Sequence, residues 1–437
     1  MKHLSILATK VSSSLLHLIG HGGSMPGEIG LKFDQNILSK LKINGPVLLV
    51  TGTNGKTSTA NMITDLLVDA GYDVISNRKG DNLKAGITTT LLTHSSLSGN
   101  VNANAMVLEV DELNIRHILP YLPVTGLVVT NFFRDQLDRA KEMEQLILSI
   151  EKVLPNYTGE LILNGNDPNV VRLSYKAPKA HATYFGMDKN IYSVDHTNEA
   201  SEGKFCPLCG QKLDYEYYQY SHIGKFHCSS CDFQTPPLDI KLQDIDLEKE
   251  TFTCDGTAFH SPYEGMYSMY NCAAILAVAK VCGISVDVAK RVFAHAPQPK
   301  GRNEKFEKNG HLCILNLVKN PTGANEVMKV IERDTKPKKV CIVLNDREQD
   351  GTDVSWIYDT FFEKIITDET KEIVCTGLRA NDMALRIYYG GYQGSIRVIT
   401  QLQDAIHQAF IDIDRTYVVA TYTALLPARG AIVKEME

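Results

Sequence analysis

Residues 47–57 read VLLVTGTNGKT, and residues 58–67 continue as STANMITDLL. A near-continuous apolar run ends in a glycine-spaced turn carrying Lys56 and Thr57, and a helix-forming stretch starts directly after it. Strand, phosphate loop and helix thus follow in the order a P-loop needs. Gly52 and Gly55 let the backbone N–H groups of the loop, Thr53 and Asn54 among them, close on phosphate oxygens. The helix N-terminus adds the positive end of its dipole, Lys56 supplies a point charge, and the Thr57 hydroxyl can ligate magnesium. Val50 stands where the common eight-residue pattern has its first glycine, so the loop is a variant. The bland alternative is a glycine-rich strand-to-helix turn without a ligand, and Gly-Lys-Thr at this junction argues against it.

Working outward, AMVLEV (105–110), GLVVTN (126–131) and ELILNG (160–165) are equally apolar, as buried parallel strands are. Strands alternating with helices predict an α/β, doubly wound, mostly parallel sheet. The segment AMVLEVDE places Glu109, Asp111 and Glu112 at the carboxyl end of a later strand. Glu109 is the candidate magnesium ligand, because a carboxylate within an apolar strand is costly unless a cation or donor meets it. Asp111 and Glu112 read as helix N-terminal residues. Before the loop, residues 1–45 form a helical lead in which Leu4, Leu7, Val11, Leu15 and Leu18 share one helical face, the pattern of a docking helix rather than an anchor. After it, Pro297, Pro299 and Gly301 punctuate the chain, separating a central domain of 46–300 from a second, Rossmann-like α/β domain of 301–437. The strands of that second domain read LCILNL (312–317), KVCIVLN (339–345), EIVCTG (372–377), SIRVIT (395–400) and YVVATY (417–422).

The 437 residues carry 45 Lys+Arg against 51 Asp+Glu, a net charge of −6, which argues against a chain whose main business is coating nucleic acid or anionic membrane. No apolar run reaches transmembrane length, and the first twenty residues lack a continuous hydrophobic stretch with a cleavage site. The expectation is a cytoplasmic protein. Six single cysteines, Cys254, Cys272, Cys282, Cys313, Cys341 and Cys375, sit among apolar residues and read as reduced core thiols.

The other four are different. Cys206-Pro-Leu-Cys209 and Cys228-Ser-Ser-Cys231 are two C-x2-C knuckles eighteen residues apart, the spacing of a zinc ribbon, within an insertion (203–234) that lacks periodic apolar faces. Four thiolates close a tetrahedral site, so the Zn2+ is expected to be structural, stapling a segment too short to own a core. A nucleic-acid module is the competitor, given His222 and Lys225 among aromatics. The acidic Asp214 and Glu216 argue against it.

Taken together, these residues resemble the ATP-binding central domain of the Mur ligase superfamily, whose loop reads T-G-T-N-G-K-T as here. Thr130-Asn131-Phe132-Phe133-Arg134-Asp135-Gln136-Leu137-Asp138 resembles its T-N-x-x-x-D-H-L-D segment, with Gln136 where histidine is usual. Asn164-Gly165-Asn166-Asp167 resembles N-x-D-D, Asn271 the asparagine of the adenine-contacting helix, and Pro299-Lys300-Gly301-Arg302-Asn303-Glu304 the P-x-G-R-x-E hinge. The resemblance implies ATP and Mg2+ as cofactors, with Lys56 and Arg302 on the phosphates and Glu109 on the metal.

Three departures point to one branch of the superfamily. Only about 45 residues precede the loop, where amino-acid ligases carry a nucleotide-sugar domain. Asn316-Leu317-Val318-Lys319-Asn320-Pro321 replaces the D-Y-A-H-N-P segment that positions an incoming amino acid, unless it is simply a strand end and helix cap. The cysteine insertion interrupts the central domain. With Asn345-Asp346 and Asp350-Gly351-Thr352-Asp353-Val354-Ser355-Trp356, these features resemble the glutamine-dependent branch. That resemblance implies ATP-dependent amidation of the α-carboxylate of D-glutamate in the lipid II stem peptide, at the inner face of the membrane. It also implies a separate glutaminase partner of the class I glutamine amidotransferase type, since no cysteine here sits on a nucleophile elbow. Asp353 would then complete that partner's Cys-His pair, or else cap a helix over VSWIYDTFFEKI. The alternatives are an amino-acid ligase of the Mur or folylpolyglutamate synthase kind and, outside enzymes, a nucleotide-gated binding protein.

Overall fold

The computed structural model describes residues 1–18, 23–78, 81–133, 143–198, 202–297 and 301–437. The described residues form two compact units, one of Met1–Phe133 with Met143–Ala296 and one beginning at Pro297. The helical lead belongs to the first unit and is not a unit of its own. Residues 134–138 of the T-N segment and Pro299-Lys300 of the hinge lie outside the described residues.

The first unit is built on a nine-stranded sheet. Its strands are β1 Val47–Thr51, β2 Val74–Ser76, β3 Ala105–Glu109, β4 Gly126–Val129, β5 Glu160–Asn164, β6 His181–Met187, then, beyond the ribbon hairpin β7 Leu213–Tyr220 and β8 Ile223–Cys228, β9 Ile240–Asp246, β10 Thr251–Cys254 and β11 Thr257–His260. The order is β11-β10-β9-β6-β5-β4-β1-β3-β2, parallel from β2 through β9 and antiparallel at β9-β10-β11. Leu48, Val50, Val107, Val128 and Ile162 face one core, while Leu49, Leu108, Leu127 and Leu161 are buried on the opposite side. Both faces are therefore covered, which is why these strands read as unbroken apolar runs. β1 lies between β3 and β4, so the chain reverses its direction of growth across the sheet there, and the crevice at the carboxyl end of β1 is where such sheets bind ligands.

The lead packs differently from the expectation. Helix α1 (Lys2–Leu18) turns its small polar face inward against α2 (Met25–Phe33): Ser5 Oγ donates to Gly30 O at 2.8 Å, and a Cβ on Gly30 would lie 2.2 Å from Thr9 Oγ1. Leu4, Leu7, Val11 and Leu15 are left about half exposed, and the Leu18 side chain is not described. Small residues win the interface because they let the two backbones approach closely, and a leucine face could not fit beside Gly30.

The second unit holds a six-stranded sheet, β12 Glu304–Lys308, β13 His311–Leu317, β14 Lys338–Val343, β15 Thr370–Thr376, β16 Ser395–Val398 and β17 Arg415–Ala420. The order is β12-β13-β17-β14-β15-β16, parallel except for the β12-β13 hairpin. Its rims are thus β12 (EKFEK) and β16 (SIRV). The helix expected over 354–365 is instead two single turns, Ser355–Tyr358 and Phe362–Ile365. The backbone groups that would close an α-helix are taken elsewhere: Arg386 donates to Ile357 O and Thr360 O, and Phe361 N–H donates to Asn325 Oδ1 at 2.8 Å. Of the six single cysteines, five are buried and Cys282 is partly so.

Candidate nucleotide and metal sites

The loop at 52–57 joins β1 to helix α3 (Lys56–Asp69). Two positions in it require glycine. Gly52 has φ 124° and a Cβ there would lie 2.3 Å from Thr130 Oγ1; Gly55 has φ 84° and a Cβ would lie 2.4 Å from Asn271 Oδ1. Asn271 is 3% exposed on helix α6 (Met266–Val281; α4 being Lys84–Thr93 and α5 Met143–Glu151), so the asparagine read from the sequence sits directly against the phosphate loop. Thr130 and Asn131 hold the loop from beneath. Thr53 N–H donates to Asn131 O at 2.8 Å, Asn54 N–H to Asn131 Oδ1 at 2.9 Å, and Thr130 Oγ1 to Asn54 O at 2.8 Å. Thr53 and Asn54 therefore shape the cradle from inside, and the amides of Gly55, Lys56 and Thr57 form its rim, where a helix N-terminus lacks internal acceptors for its first N–H groups.

Lys56 curls over this turn. Its Nζ donates to Gly52 O at 2.6 Å and to Glu112 Oε1 at 2.8 Å, and the two side chains are only 11% and 8% exposed. Burial holds the Glu112 carboxyl above its ordinary range, against the pull of Lys56. Glu112 opens the helical turn Glu112–Asn114, the helix N-terminal place expected from sequence, and is at the same time the counterion of the loop lysine. Asp111 does cap, accepting from Leu113 N–H at 3.1 Å. Glu109 ends β3, its backbone clamped by Asn77 at 2.8 Å on both N–H and C=O, and its Oε1 accepts from Asn82 Nδ2 at 3.1 Å. Glu109, Glu112, Lys56 and Asn271 all belong to the first unit and converge on the β1 crevice or the strand beside it. Thr57 and Glu109 supply a hydroxyl and a carboxylate of the hard-oxygen kind magnesium takes.

Four thiol sulfurs form the other site. Cys206, Cys209, Cys228 and Cys231 have Sγ atoms all within 4.8 Å of one another, with Cys206–Cys231 and Cys209–Cys228 at 3.5 Å. A tetrahedron of thiolates at ~2.3 Å from zinc has edges of about 3.8 Å. The donor set fits Zn2+ and leaves no open position for chemistry. The insertion also has more core than its composition predicts. Val171, Leu213, Phe226 and Phe233 are buried beside the cysteines, and Phe226 stacks on Phe233 at 5.4 Å. The two cations weighed for nucleic-acid contact are engaged within the protein, Lys225 with Glu216 at 2.9 Å and His222 in the interior.

Two protein-family models match the chain, the Mur ligase middle domain over residues 50–279 and the MurT ligase C-terminal domain over 317–425. A curated relative from Streptococcus pneumoniae (strain ATCC BAA-255 / R6), the lipid II isoglutaminyl synthase (glutamine-hydrolyzing) subunit MurT, is 33% identical over 98% of this chain and 96% of its own length. The chain belongs to the MurT family of the Mur ligase superfamily. The MurT subunit of Staphylococcus aureus (strain COL) is 32% identical over 97% of this chain and 95% of its own. Among solved structures, a pseudomurein peptide ligase type C from Methanothermus fervidus superposes with TM-score 0.68 at 20% identity, covering 92% of this chain and 81% of that one. MurF ligase from Thermotoga maritima in complex with ADP superposes with TM-score 0.62 at 17% identity, covering 93% and 84%. These share the fold.

Within the MurT-family chain, the remaining sequence candidates lie in the second unit. Arg302 is on the turn before β12, where Glu304 Oε2 accepts from Gly301 N–H at 2.8 Å and Glu304 Oε1 from Arg429 Nε at 2.8 Å. Asn320 caps the helix Pro321–Arg333, accepting from Gly323 N–H at 2.8 Å, and Asn316 Oδ1 accepts from Asn303 N–H at 2.9 Å, so the 316–321 segment is a strand end and a cap. Asp353 follows β14 on a loop tied by Asp350, which accepts from Thr423 N–H at 2.7 Å, and its own Oδ1 accepts from Ser355 N–H at 2.8 Å. Two pairings carry no sequence signal: Glu112 also holds Lys56, 56 residues away, and His222, named in the sequence only as a cation among aromatics, lies buried against Asp167, 55 residues away.

Proposed function

We propose that this chain is the ATP-dependent ligase subunit of a lipid II isoglutaminyl synthase. It converts the α-carboxylate of D-glutamate in the stem peptide to the amide, with ammonia from a glutaminase subunit of the class I amidotransferase type. The observation that carries the reading is the near full-length match to chains bearing that name, on a sheet whose switch point holds a phosphate loop. A carboxylate is a poor electrophile. Its oxygen takes the γ-phosphoryl group from ATP, ADP departs, ammonia attacks the carbonyl carbon of the acyl phosphate, and inorganic phosphate leaves as the nitrogen sheds a proton.

The residues have separable parts in this. The N-terminus of α3 and Lys56 offset charge on the phosphates, Lys56 exchanging Glu112 for phosphate oxygen. Asn271 fixes the loop's position through Gly55. Magnesium, held by Thr57 and Glu109, would neutralise charge on the transferring phosphoryl group. Arg302 is assigned a further cation on the phosphates, and Asp353 the orienting acid of the partner's Cys-His pair, both by family resemblance. Among the described residues no helix is long and apolar enough to cross a membrane, and the lipid-linked substrate places the enzyme at the cytoplasmic face. The test is mass spectrometry of the stem peptide after incubating lipid II with ATP, glutamine, this chain and the candidate glutaminase. Exchange of OH for NH2 at D-glutamate is expected, and addition of a free amino acid instead would overturn the reading.

A further inference from the structure

The tip of the ribbon hairpin does not stay with the ribbon. Between β7 and β8 the chain turns at Ser221, φ 45°, and drives His222 into the first unit until its side chain is 0% exposed. There His222 Nε2 lies 3.2 Å from Asp167 Oδ1 and Nδ1 lies 3.3 Å from Glu202 Oε2. Burial works against a charged ring, but Asp167 and then Glu202 lift the imidazole to about 9, so the ring is an imidazolium at neutral pH.

What surrounds it leads to the phosphate loop by two routes. Asp167 Oδ2 accepts from Phe132 N–H at 2.9 Å, and the Phe133 ring lies 4.7 Å from the His222 ring. Phe133 N–H in turn donates to Thr53 Oγ1 at 3.0 Å, inside the loop. On the other side Gly224 N–H donates to Asn166 O at 2.9 Å, and Asn166 Oδ1 accepts from Tyr270 OH at 2.9 Å. Tyr270 precedes Asn271, the residue against Gly55.

We infer that the zinc ribbon is keyed to the phosphate loop through His222, which acts as a positioning residue for the nucleotide, clamped between Asp167 and Glu202 beneath Phe133. The ribbon is then not a passive staple. Its metal fixes β7 and β8, the hairpin fixes His222, and the Phe132-Phe133 step transmits that position to Thr53. A buried cation bridging two carboxylates suits this task, because its loss leaves an acid uncompensated and forces the neighbouring backbone to move.

The inference rests on the reading that the loop at 52–57 binds ATP, and the test separates the two. Affinity for a fluorescent ATP analogue is measured with magnesium present, on full-length His222→Gln and Lys56→Ala, alongside zinc content and melting temperature. His222→Gln is expected to weaken nucleotide binding at least about tenfold at a temperature where it is fully folded, with one zinc retained per chain. The double variant His222→Gln/Asp167→Asn, which removes the cation and one of its two carboxylates, is expected to recover part of that loss. Wild-type protein stripped by a zinc-selective chelator, then freed of it, should show the same weakening and regain affinity on adding zinc, which covers the case in which His222→Gln does not fold. Unchanged affinity in His222→Gln with a lowered melting temperature, or in the zinc-stripped protein, would overturn the inference and leave a purely structural ribbon. Wild-type affinity in Lys56→Ala would overturn the reading of the loop itself, and this inference with it.

Discussion

Two glycines flanking α3 allow the close approach of Asn271 to the phosphate loop to be measured. Gly55 and Gly71 have nearly the same φ, 84° and 92°, but a Cβ on Gly71 meets nothing within 4 Å whereas one on Gly55 lies 2.4 Å from Asn271 Oδ1. Alanine in the left-handed region costs roughly 1–2 kcal/mol, so Gly71→Ala should lose about that much stability, a few degrees of melting temperature. Gly55→Ala carries the same backbone cost and a collision besides. An ordinary Cβ contact begins near 3.4 Å, so loop and asparagine must separate by 1.0 Å, the difference between 3.4 and 2.4 Å. Asn271 is 3% exposed, so its side chain has no solvent to withdraw into. The loop must yield, carrying the Gly55, Lys56 and Thr57 amides with it, and a misplacement of that size costs up to ~100-fold where geometry governs binding and reaction. Isothermal titration with a non-hydrolysable ATP analogue, beside thermal melts, makes the comparison. Melting temperatures lowered in both variants, further in Gly55→Ala, with nucleotide affinity lost only in Gly55→Ala are expected. Equal nucleotide affinity in the two variants would refute the reasoning.

Other consequences are open to direct measurement. Lys56→Met strands Glu112 in the interior and should destabilise the folded protein by roughly 3–5 kcal/mol, and Lys56→Met/Glu112→Gln should recover most of it; additive losses in denaturant titrations would dissolve the pair. Cys228→Ala should release the zinc, seen as loss of metal by elemental analysis, and open residues 205–234 to protease; retained metal at one per chain would refute a four-thiolate site. Because the His222 imidazole is raised to about 9 from the 6.5 of an unfolded chain, its stabilisation is complete below about pH 6.5 and fades as pH rises through 9. Melting temperature should therefore fall across that window, and His222→Gln should flatten the fall. Asp353→Asn should impair amidation driven by glutamine and spare amidation driven by added ammonium; equal loss on both nitrogen sources would count against its role in the partner's triad.

The features legible in the sequence are those fixed by local pattern. β1, β3, β4 and β5 are buried on both faces, so their middles are unbroken apolar runs with polar residues only at the ends, and those ends are read to within two residues. β9, β10 and β11 escaped because they form the partly exposed antiparallel flank of the sheet, where IKLQDID and TFTC alternate buried with half-exposed positions over short spans. The inside of α1 was misjudged because hydrophobicity ranks Leu4 and Leu7 above Ser5 and Thr9, while the packing is decided by how closely Gly30 can be approached. The helix expected after Asp353 has the right composition, but long-range partners displace it, Arg386 donating to its carbonyls and Asn325 Oδ1 accepting from Phe361 N–H. In the site, the loop and its glycines follow from chemistry that a few adjacent residues must perform. Glu112 and His222 find their partners 56 and 55 residues away, through the fold and not through spacing.

The rims of the second sheet carry a last consequence. Glu304, Lys305, Glu307 and Lys308 line one and Arg397 stands on the other. Fixed charges along a strand that still has main-chain groups to offer discourage a foreign strand from annealing there. Growth of that sheet into a ribbon of stacked chains is disfavoured at either end.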